Sequence, residues 1–488
     1  MKTCVLKILA AGLVLCAAVA NLSAQVTLTT LHTFGAGSID GQYPYASLVQ
    51  GSDGLFYGTT LKGGTNTASP SGTVFQINTN GGSYAVLHSF PESITQDGSL
   101  STPGLVEDHT NPGNFFGLTD AGGTNGGYGT VFRIKPDGTY TVLHTFAGNP
   151  DGAIKNVYSY AGQLLQGKDG NFYGTTPLGG TNTAGLQGTV FQINSTGDVT
   201  ILHSFTGAYD GNQPMGGLVQ ASDGNFYGTT YANGTNSAGS AYGTVFRLNI
   251  TNGVLTTLHT FVGGSFDGAE PEGALVQGLD GNLYGTTSGG GTHSAGVVFR
   301  ISSGGSYTNL HPFGEFTYDG GKPVAGLVLG SDGNFYGTTQ LGGTSTNGTV
   351  FRISPTGSYS NLYSFTGGSD GKQPYAGLVQ GSDGSFYGTT ETGGTNGIGY
   401  GTVFKLTVPL NPPANQISAI QVAGTNVLVT IPSVATEMYQ LQYRTSLTAG
   451  AWSNINAAAV TSIGGPLTVT NFGGFSQSQQ FYRFAITP

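Results

Sequence analysis

The feature that most constrains this chain is a phrase that it repeats seven times. An aromatic residue followed by glycine recurs in near copies of the stretch NFYGTT, at steps of 59, 57, 54, 57, 52 and 51 residues. A period of this length is typical of repeat architectures, in which each copy buries its apolar face against its neighbours. The seven aromatic residues are Tyr57, Phe116, Tyr173, Tyr227, Tyr284, Tyr336 and Tyr387.

Each period contains four short runs with the character of β-strands. Runs such as AGLVQ, NFYGTT, GTVFRI and YTVLHTF are rich in Val, Ile, Tyr, Phe and Thr, and Gly, Asp, Asn and Pro separate them. Apolar residues at helical spacing are absent. The pattern predicts an all-β fold with one four-stranded antiparallel sheet per copy, which is a seven-bladed β-propeller.

The two ends of the repeat region predict how the ring closes. The first run, VTLTTLHTF, is of the fourth type, and the last run, GTVFKL, is of the third type. Every type occurs seven times only if residues 26–34 complete the blade that begins near residue 375, so we expect an N-terminal strand that closes the last blade. Pro312 lies in a fourth run, which predicts an outermost strand because a missing amide is tolerated at a sheet edge.

The termini of the chain differ from the repeats. Lys2 and Lys7, an apolar run and small residues have the layout of a secretory signal peptide, cleaved after Ala20 or Ala24. The apolar run is too short to remain as a membrane span, so we expect a mature chain without a transmembrane segment, secreted or at the cell surface. The predicted parts are a signal peptide (1–24), the propeller (25–408), a proline-rich linker (409–415) and a small fibronectin-like β-sandwich (416–488).

Charge and cysteine usage exclude some partners. Only 8% of the residues are charged, and the formal net charge of −9 becomes −11 without the two lysines of the signal peptide. Such a chain has no basic surface for nucleic acid, so we expect no nucleic-acid partner. Both cysteines, Cys4 and Cys16, lie in the signal peptide, and the exported chain therefore has neither a thiol nor a disulfide.

The recurring phrases DGNFYGTT, GGTN, GTVF and LHSF resemble the GloVer (Gloeo/Verruco) tandem-repeat proteins, which are exported bacterial proteins. The resemblance covers about residues 26–408. It implies an exported repeat protein whose biochemistry is unassigned. The second and third copies are two and five residues longer than the common pattern, and the third lacks the usual proline.

Two kinds of loop supply candidate binding residues. Alternating strand direction places the loops from fourth to first strand and from second to third strand on one face of the propeller. Carboxylates and amides pooled there would hold calcium or accept hydrogen bonds from sugar hydroxyls, or each Asp begins a turn and each Asn caps one. These candidates are Asp40, Asp97, Asp151, Asp210, Asp267, Asp319 and Asp370, with Asn66, Asn125, Asn182, Asn236 and Asn396.

Histidine recurs in the fourth run but not as a metal site. Neighbouring outer strands are on the order of 15–20 Å apart in a propeller whose strands are spaced by ~4.8 Å, so equivalent histidines cannot share a metal ion. We predict that they pack between blades with a ring nitrogen hydrogen-bonded. The six are His32, His88, His144, His203, His259 and His311, and Tyr363 takes the seventh place.

Catalytic motifs are absent: the sequence has no HExxH, no Cys in the mature chain and no nucleophile elbow, because its GxSxG match at 367–371 lies in a recurring loop between strands and does not lead into a helix. The least symmetric acidic cluster is Glu270 and Glu272, with Asp267 close by. We therefore expect a non-catalytic exported scaffold or binding protein whose target is a glycan or a protein at the cell surface. A secreted hydrolase or lyase acting on polysaccharide through acids at the channel mouth, with calcium as an option, and a structural surface-layer component are the alternatives. The oligomeric state stays open.

Overall fold

The structure of the protein is a computed structural model. It describes residues 26–408 except 36–38, 66–70, 92–95, 100–102, 125, 155–161, 182–186, 235–240, 316–317 and 395–398, and beyond residue 408 the strands given below with Ile455. The predicted signal peptide and the linker 409–415 lie outside these residues. The chain divides after Thr407 into two compact units. No helix that could cross a membrane occurs in the described residues.

Residues 26–407 form a seven-bladed β-propeller of four-stranded antiparallel sheets, as predicted. The blades are numbered 1 to 7 in chain order, and the strands of each blade are counted outward from the axis. First strands are Val49–Gln50, Val106–Glu107, Leu165–Gln166, Val219–Gln220, Val276–Gln277, Val328–Leu329 and Val379–Gln380. Second strands are Phe56–Thr60, Phe115–Thr119, Phe172–Thr176, Phe226–Thr230, Leu283–Thr287, Phe335–Thr339 and Phe386–Thr390.

The outer half of each blade is built from the third and fourth strands. Third strands are Thr73–Ile77, Thr130–Ile134, Thr189–Ile193, Thr244–Leu248, Val297–Ile301, Thr349–Ile353 and Thr402–Thr407. Fourth strands are Ala85–Ser89, Tyr140–Thr145, Val199–Ser204, Leu255–Thr260, Tyr307–Pro312, Tyr359–Ser364 and, for blade 7, Thr27–Thr33.

The N-terminal strand closes the ring. Thr27–Thr33 pairs antiparallel with Thr402–Thr407 at the outer edge of blade 7. Blade 7 therefore combines the two ends of the repeat region, and the predicted closure is confirmed. Pro312 lies in an outermost strand, where its missing amide breaks no ladder.

The repeated Phe-Tyr pair joins each blade to both neighbours. Successive side chains of a strand point to opposite faces of its sheet. Phe56 consequently stacks on Tyr387 of blade 7 at 4.1 Å between ring centroids, and Tyr57 stacks on Phe115 of blade 2 at 4.0 Å. Such aromatic pairs contribute about 0.5–1.5 kcal/mol each beyond their buried area. The seam between blades 4 and 5 differs, because Leu283 replaces the phenylalanine and lies in one apolar cluster with Tyr227.

The glycine after this pair provides room for the core. A Cβ atom on Gly58 would lie 2.6 Å from the ring of Phe75 in the next strand, and one on Gly174 would lie 2.7 Å from Phe191. These distances are shorter than van der Waals contact, so any larger residue would push the third strand away. This close approach explains why the phrase reads aromatic-glycine in every copy.

The loops that enter the first strand and those that follow the second strand share one face, as predicted. They pair with each other in every blade, either as two-residue ladders or as single bridges. We call this the loop face. The ladders join Gly41–Gln42 to Lys62–Gly63, Gly268–Ala269 to Gly289–Gly290, and Gly320–Gly321 to Leu341–Gly342. The bridges join Ser99 to Ala121, Ala153 to Leu178, Asn212 to Ala232, and Lys372 to Thr392.

On the opposite face, a glutamine at the end of the first strand clasps the hairpin of the preceding blade. Gln50 accepts a hydrogen bond from the Ser382 amide at 2.8 Å, and its amide group donates to the Ser382 hydroxyl at 3.3 Å. Equivalent contacts recur between other blades. Blades 5 and 6 depart from the pattern, because Leu329 replaces the glutamine and Leu279 replaces the serine.

The C-terminal unit contains two antiparallel sheets. One consists of Ala419–Ala423, Asn426–Ser433 and Gly465–Asn471. In the other, Met438–Arg444 pairs with Ser453–Asn454, Val460–Thr461 and Phe481–Thr487. Val427, Val429, Leu441 and Val469 are buried. The fibronectin-like sandwich stays a prediction, and Trp452 lies outside the described residues.

Candidate functional site

Most aspartates of the loop face form hydrogen bonds with other residues of the protein. In five blades the carboxylate meets the Nε2 atom of the outer-strand histidine that precedes it. Backbone amides add to this, since Gly35 and Gly41 donate to Asp40 at 2.8 Å. The pairs are His32–Asp40 (3.2 Å), His144–Asp151 (2.9 Å), His203–Asp210 (3.1 Å), His259–Asp267 (3.1 Å) and His311–Asp319 (3.4 Å), and Tyr363 donates to Asp370 at 2.9 Å.

A tyrosine of the next blade covers several of these histidines. The ring of Tyr84 stacks on His32 with centroids 3.7 Å apart, and its hydroxyl donates to Asp40 at 2.7 Å. Tyr307 and Tyr359 stack in the same way at 4.1 and 4.0 Å on the histidines of the blades before them. The predicted packing of histidine between blades is confirmed. The histidine, the aspartate and, where it is present, the tyrosine of the next blade form one contact. We call the set of these contacts around the propeller the outer ring.

The contact between blades 1 and 2 is incomplete. His88 stacks on Tyr140 at 4.0 Å, but its buried Nε2 atom has no hydrogen-bond partner among the described residues. Burial lowers the pKa of His88, and the charge of Asp97 offsets only part of this effect. His88 is therefore a neutral packing residue.

Hydrogen bonds lower the pKa of three of the outer-ring carboxylates. Burial raises the pKa of Asp151, Asp210 and Asp319, but the hydrogen bonds that they accept from histidine and from backbone or hydroxyl groups outweigh it, and each pKa lies below its ordinary value. A binding role for these aspartates stays a prediction. The five candidate asparagines, Asn66, Asn125, Asn182, Asn236 and Asn396, lie outside the described residues.

Calcium has no preformed site in the part of the chain that the structure describes, where no three His, Cys, Asp or Glu residues are grouped to hold a metal ion. The aspartates of the SDGN hairpins are occupied too. Asp53 accepts hydrogen bonds from the hydroxyl of Tyr57 at 2.7 Å and from the amide of Leu55 at 3.0 Å. The same tyrosine contact recurs at 2.7–2.8 Å in five other blades.

The axis of the propeller holds a cavity of about 380 Å³. Its wall consists mostly of the segments that lead into the seven first strands, and Val49, Val328 and Val379 are added from the strands themselves. Glycine, alanine, valine and leucine form most of this wall, and the longer polar, sulfur-containing and aromatic side chains come from Tyr45, Gln163, Met215, Glu272 and Tyr375. Four of these five, all except Gln163, lie directly after a loop proline. They therefore stand where the cavity opens on the loop face.

At this opening, the residue after the loop proline meets the residue that follows the second strand of the preceding blade. The hydroxyl of Tyr45 donates to Glu391 Oε1 at 2.5 Å, and the side-chain amide of Gln340 is hydrogen-bonded to the hydroxyl of Tyr375. The rings of Tyr45 and Tyr375 lie 5.2 Å apart, tilted by 55°. Glu272 and Tyr231 interact electrostatically at the corresponding place between blades 4 and 5. We call these six side chains the channel mouth.

The polar and aromatic pairs of the channel mouth do not occur at every seam. Between blades 3 and 4 the corresponding residues are Pro177 and Met215, and between blades 5 and 6 they are Ser288 and Val324. The pairs lie at the seams between blades 4 and 5, 6 and 7, and 7 and 1. Unlike the outer ring, the mouth does not repeat around the axis.

Burial raises the pKa of both mouth carboxyls. For Glu272, burial and the nearby charge of Glu270 raise the pKa, and Ser288 and Lys322 lower it by less. For Glu391, burial outweighs the opposing effects of Tyr45 and Lys372. Carboxyls of this kind are poised to accept or share a proton with a ligand hydroxyl.

One polar atom of Gln340 is buried without a partner. The side chain has 6% of its surface exposed, and its Oε1 atom has no hydrogen-bond partner among the described residues. In either orientation of the amide, one polar atom bonds Tyr375 and the other is left over. A buried polar atom without a partner costs about 1–3 kcal/mol.

A rigid backbone frame carries the mouth. In five blades the residue before the loop proline has a positive φ although it is not glycine, for example Tyr43 at 57° and Gln373 at 56°. Its amide and carbonyl are both hydrogen-bonded: Gln373 donates to Asn347 of blade 6 at 2.8 Å and accepts from Glu391 at 3.0 Å. Such strain persists only where the surroundings fix it. The frame is the same in these blades, and the side chains on it differ.

The repeats of the chain match a known family. A model of the Gloeobacter/Verrucomicrobia repeat matches residues 18–161, 155–329 and 240–422. The chain belongs to that family. The resemblance to the GloVer tandem-repeat proteins is thus confirmed, and no curated protein matches the sequence.

Solved propeller structures resemble the chain distantly. The oligogalacturonate lyase of Vibrio parahaemolyticus is 10% identical, with 79% of this chain and 97% of that chain covered and a TM-score of 0.45. TolB of Acinetobacter baumannii is 16% identical, with 66% of this chain and 63% of that chain covered and a TM-score of 0.35. At these values the similarity says nothing about activity.

Sequence reasoning found one member of the channel mouth, Glu272, because it lies in the local acidic cluster GAEPEGA. It missed the other five, which come from four different blades and show no local motif: Tyr45, Tyr231, Gln340, Tyr375 and Glu391. Aligning the repeats and asking which loop-face positions differ between copies would have found them.

Proposed function

We propose that the protein is an exported, non-catalytic binding propeller that holds a neutral glycan at the channel mouth. The observation that carries this proposal is the broken symmetry of the mouth on an otherwise repeated frame. Residues that serve only folding recur around the ring, as the outer-ring pair does in six of the seven contacts. Tyr45, Tyr375 and Glu272 occupy one repeat position that holds Met215 and Val324 in other blades, and all three line the axial cavity.

The chemistry of the mouth supports a sugar ligand. A sugar ring has an apolar face and a rim of hydroxyls, and pockets for such ligands combine aromatic walls with a few placed polar groups. Tyr45 and Tyr375 provide tilted ring faces 5.2 Å apart. Glu391 and the amide of Gln340 provide acceptors and donors for hydroxyls.

Charge favours a neutral glycan over an acidic one. The mouth carries Glu272 and Glu391, and the whole chain has a formal net charge of −9. An acidic polysaccharide would meet repulsion of the same sign. Lys322 and Lys372 approach these carboxyls and offset part of the repulsion, which leaves an environment suited to uncharged hydroxyls.

The test is isothermal titration calorimetry of the purified protein with a panel of neutral oligosaccharides, alongside Tyr375→Ala and a control. The control is Val254→Ser, an exposed residue in a turn on the opposite face. We expect binding by the wild type and the control, and at least about a tenfold loss in Tyr375→Ala, the scale of one aromatic anchor. Binding that Tyr375→Ala leaves intact, or no binding to any member of the panel, would contradict the proposal.

A hydrolase or lyase is the second candidate, and the raised pKa of Glu272 next to Glu270 is the observation that favours it. A carboxyl with a raised pKa and a second carboxyl close to it are groups that general acid and base catalysis can use. Incubation with the same glycans, followed by assays for new reducing ends and unsaturated products, separates this candidate from binding. Products that form with the wild type and disappear in Glu272→Gln would establish catalysis.

A surface-layer component is the remaining alternative. It requires lateral contacts between copies of the chain, so sedimentation of the purified protein would show oligomers that grow with concentration. A monomer at all concentrations would leave the binding role in place.

A further inference from the structure

Three exposed aromatic side chains follow one another along the loop face. Each stands immediately before the outer-ring aspartate in the loops that enter blades 4, 5 and 6. They are Tyr209, Phe266 and Tyr318, with 76%, 90% and 52% of their surface exposed. In the other four loops this position holds Ile39, Gln96, Pro150 and Ser369. The aromatic residues are thus confined to one sector of the ring.

These rings are carried by loops that the next blade holds in place. The hydroxyl of Thr257, in the fourth strand of blade 4, donates to the carbonyl of Tyr209 at 2.9 Å. The amide of Asn361, in blade 6, donates to the carbonyl of Tyr318 at 2.5 Å. Large apolar side chains on a fixed backbone keep little freedom to lose when they bind a ligand.

The sector is continuous with the channel mouth. Tyr242, itself 41% exposed, lies beside the loop of Phe266, because a side chain at Gly263 would meet its ring at 3.2 Å. The carbonyl of Tyr242 accepts the amide hydrogen of Glu270 at 2.8 Å. Glu270 is two residues from Glu272, so apolar rings lead from the rim of the propeller to the axial cavity.

The distribution of the aromatic rings, with one ring in each of three successive loops, indicates the kind of ligand. Protein and membrane contacts use contiguous apolar patches of several hundred Å². Here the three loop aromatics stand one per blade, each in its own loop. An extended chain of sugar units stacks one unit on each ring and leaves the intervening units in solvent, which matches separate rings rather than a patch.

We propose that Tyr209, Tyr242, Phe266 and Tyr318 bind a neutral polysaccharide chain that extends outward from the channel mouth. This inference rests on the proposed glycan binding and adds to it: the mouth holds one short stretch of the chain, and the aromatic sector holds its continuation. The protein then prefers a polymer to a short oligosaccharide of the same sugar.

The test uses affinity electrophoresis in gels that contain xylan, laminarin, pullulan or galactomannan, and calorimetry with the matching short oligosaccharides. The variant is the triple change Tyr209→Ser, Phe266→Ser and Tyr318→Ser, which touches exposed side chains only. The matched control is Ile250→Ser, Val254→Ser and Leu279→Ser, which removes three exposed apolar side chains from the opposite face. Thermal melts of both proteins check that the fold is intact.

We expect the polymer to bind the triple variant at least about tenfold more weakly than it binds the wild type or the control. Affinity for the short oligosaccharide should stay within about twofold, because the mouth is unchanged. Equal affinity of wild type and triple variant for the polymer, with oligosaccharide binding intact, would overturn the inference and leave the proposed function standing. Absence of all glycan binding would overturn both. Self-association that the triple variant loses would assign the sector to protein contacts instead.

Discussion

The outer ring and the channel mouth are built on one backbone frame but use their side chains differently. In the outer ring, a histidine or tyrosine and an aspartate meet in six of the seven contacts, and their polar atoms are satisfied within the protein. At the mouth, each pair of positions holds different residues, and Gln340 keeps a polar atom without a partner among the described residues. We infer that positions with the same residue type in most blades stabilise the propeller, whereas positions whose residue type differs between blades are available for a ligand.

The most severe way to break the outer ring is to remove residues 26–34, which deletes the closing strand together with His32. Blade 7 then loses its fourth strand, and Thr402–Thr407 becomes an open edge. We expect the loss to approach the whole stability of a domain, about 5–15 kcal/mol, and no cooperative melt by calorimetry. A shortened chain that starts at residue 26 is the control. Cooperative unfolding of the deletion variant near the temperature of the control would show that closure is not required.

Asp319→Ala breaks a single outer-ring contact. It leaves His311 and the amides of Gly314 and Gly320 without their acceptor. We expect a destabilisation of about 2–4 kcal/mol in denaturant titrations, since buried polar groups lose their partners. Glu315→Ala, an exposed residue of the same loop, is the matched control and should change stability by less than about 0.5 kcal/mol. Equal effects of the two changes would contradict the role of the outer ring.

Acid should weaken the outer ring before the mouth. The pKa of Asp151, Asp210 and Asp319 is depressed in the folded state, so their contribution is present above about pH 3.9, the ordinary value, and is lost as the pH falls through the lower folded value. The pKa of His88 is also lowered, so stability starts to fall below about pH 6.5. We expect melting temperatures that decline with falling pH, and a His88→Phe variant whose decline starts only at lower pH. The same profile in both proteins would exclude His88 as the cause.

The smallest effect concerns the irregular seam on the opposite face. Restoring the common pattern with Leu279→Ser and Leu329→Gln should create the clasp that Gln50 makes with Ser382. We expect a gain of about 0.5–1.5 kcal/mol, the net contribution of a typical hydrogen bond, and a rise of about 1–2 °C in the melting temperature. The single change Leu329→Gln serves as the control, because it lacks the serine partner. No gain in the double variant would mean that the two leucines already pack equally well.

The parts of the fold that could be predicted from the sequence are those set by periodic patterns. Counting the strand types placed Thr27–Thr33 in the last blade, and alternating strand direction placed the paired loops on one face. The histidines were predictable too, because the same residue type recurred at a position too far from its equivalents to share a metal. All of these rest on local geometry repeated seven times.

The channel mouth could not be predicted in the same way. Tyr45 and Glu391 are far apart in the chain and meet only because the ring closes between blades 7 and 1. Tyr209 and Phe266 lie in predicted loops, directly before Asp210 and Asp267. The sequence does not show whether a loop side chain is exposed or packed, because this depends on tertiary contacts.

The central claim is tested most directly by measuring the melting temperature and the glycan affinity of Asp319→Ala and Tyr375→Ala side by side. We predict that Asp319→Ala lowers the melting temperature by about 2–5 °C and leaves the dissociation constant within about twofold. Tyr375→Ala should weaken binding by about tenfold or more while shifting the melting temperature by less than half as much. Loss of binding in Asp319→Ala at a temperature where it is folded, or intact binding in Tyr375→Ala, would contradict the division between repeated and unrepeated positions.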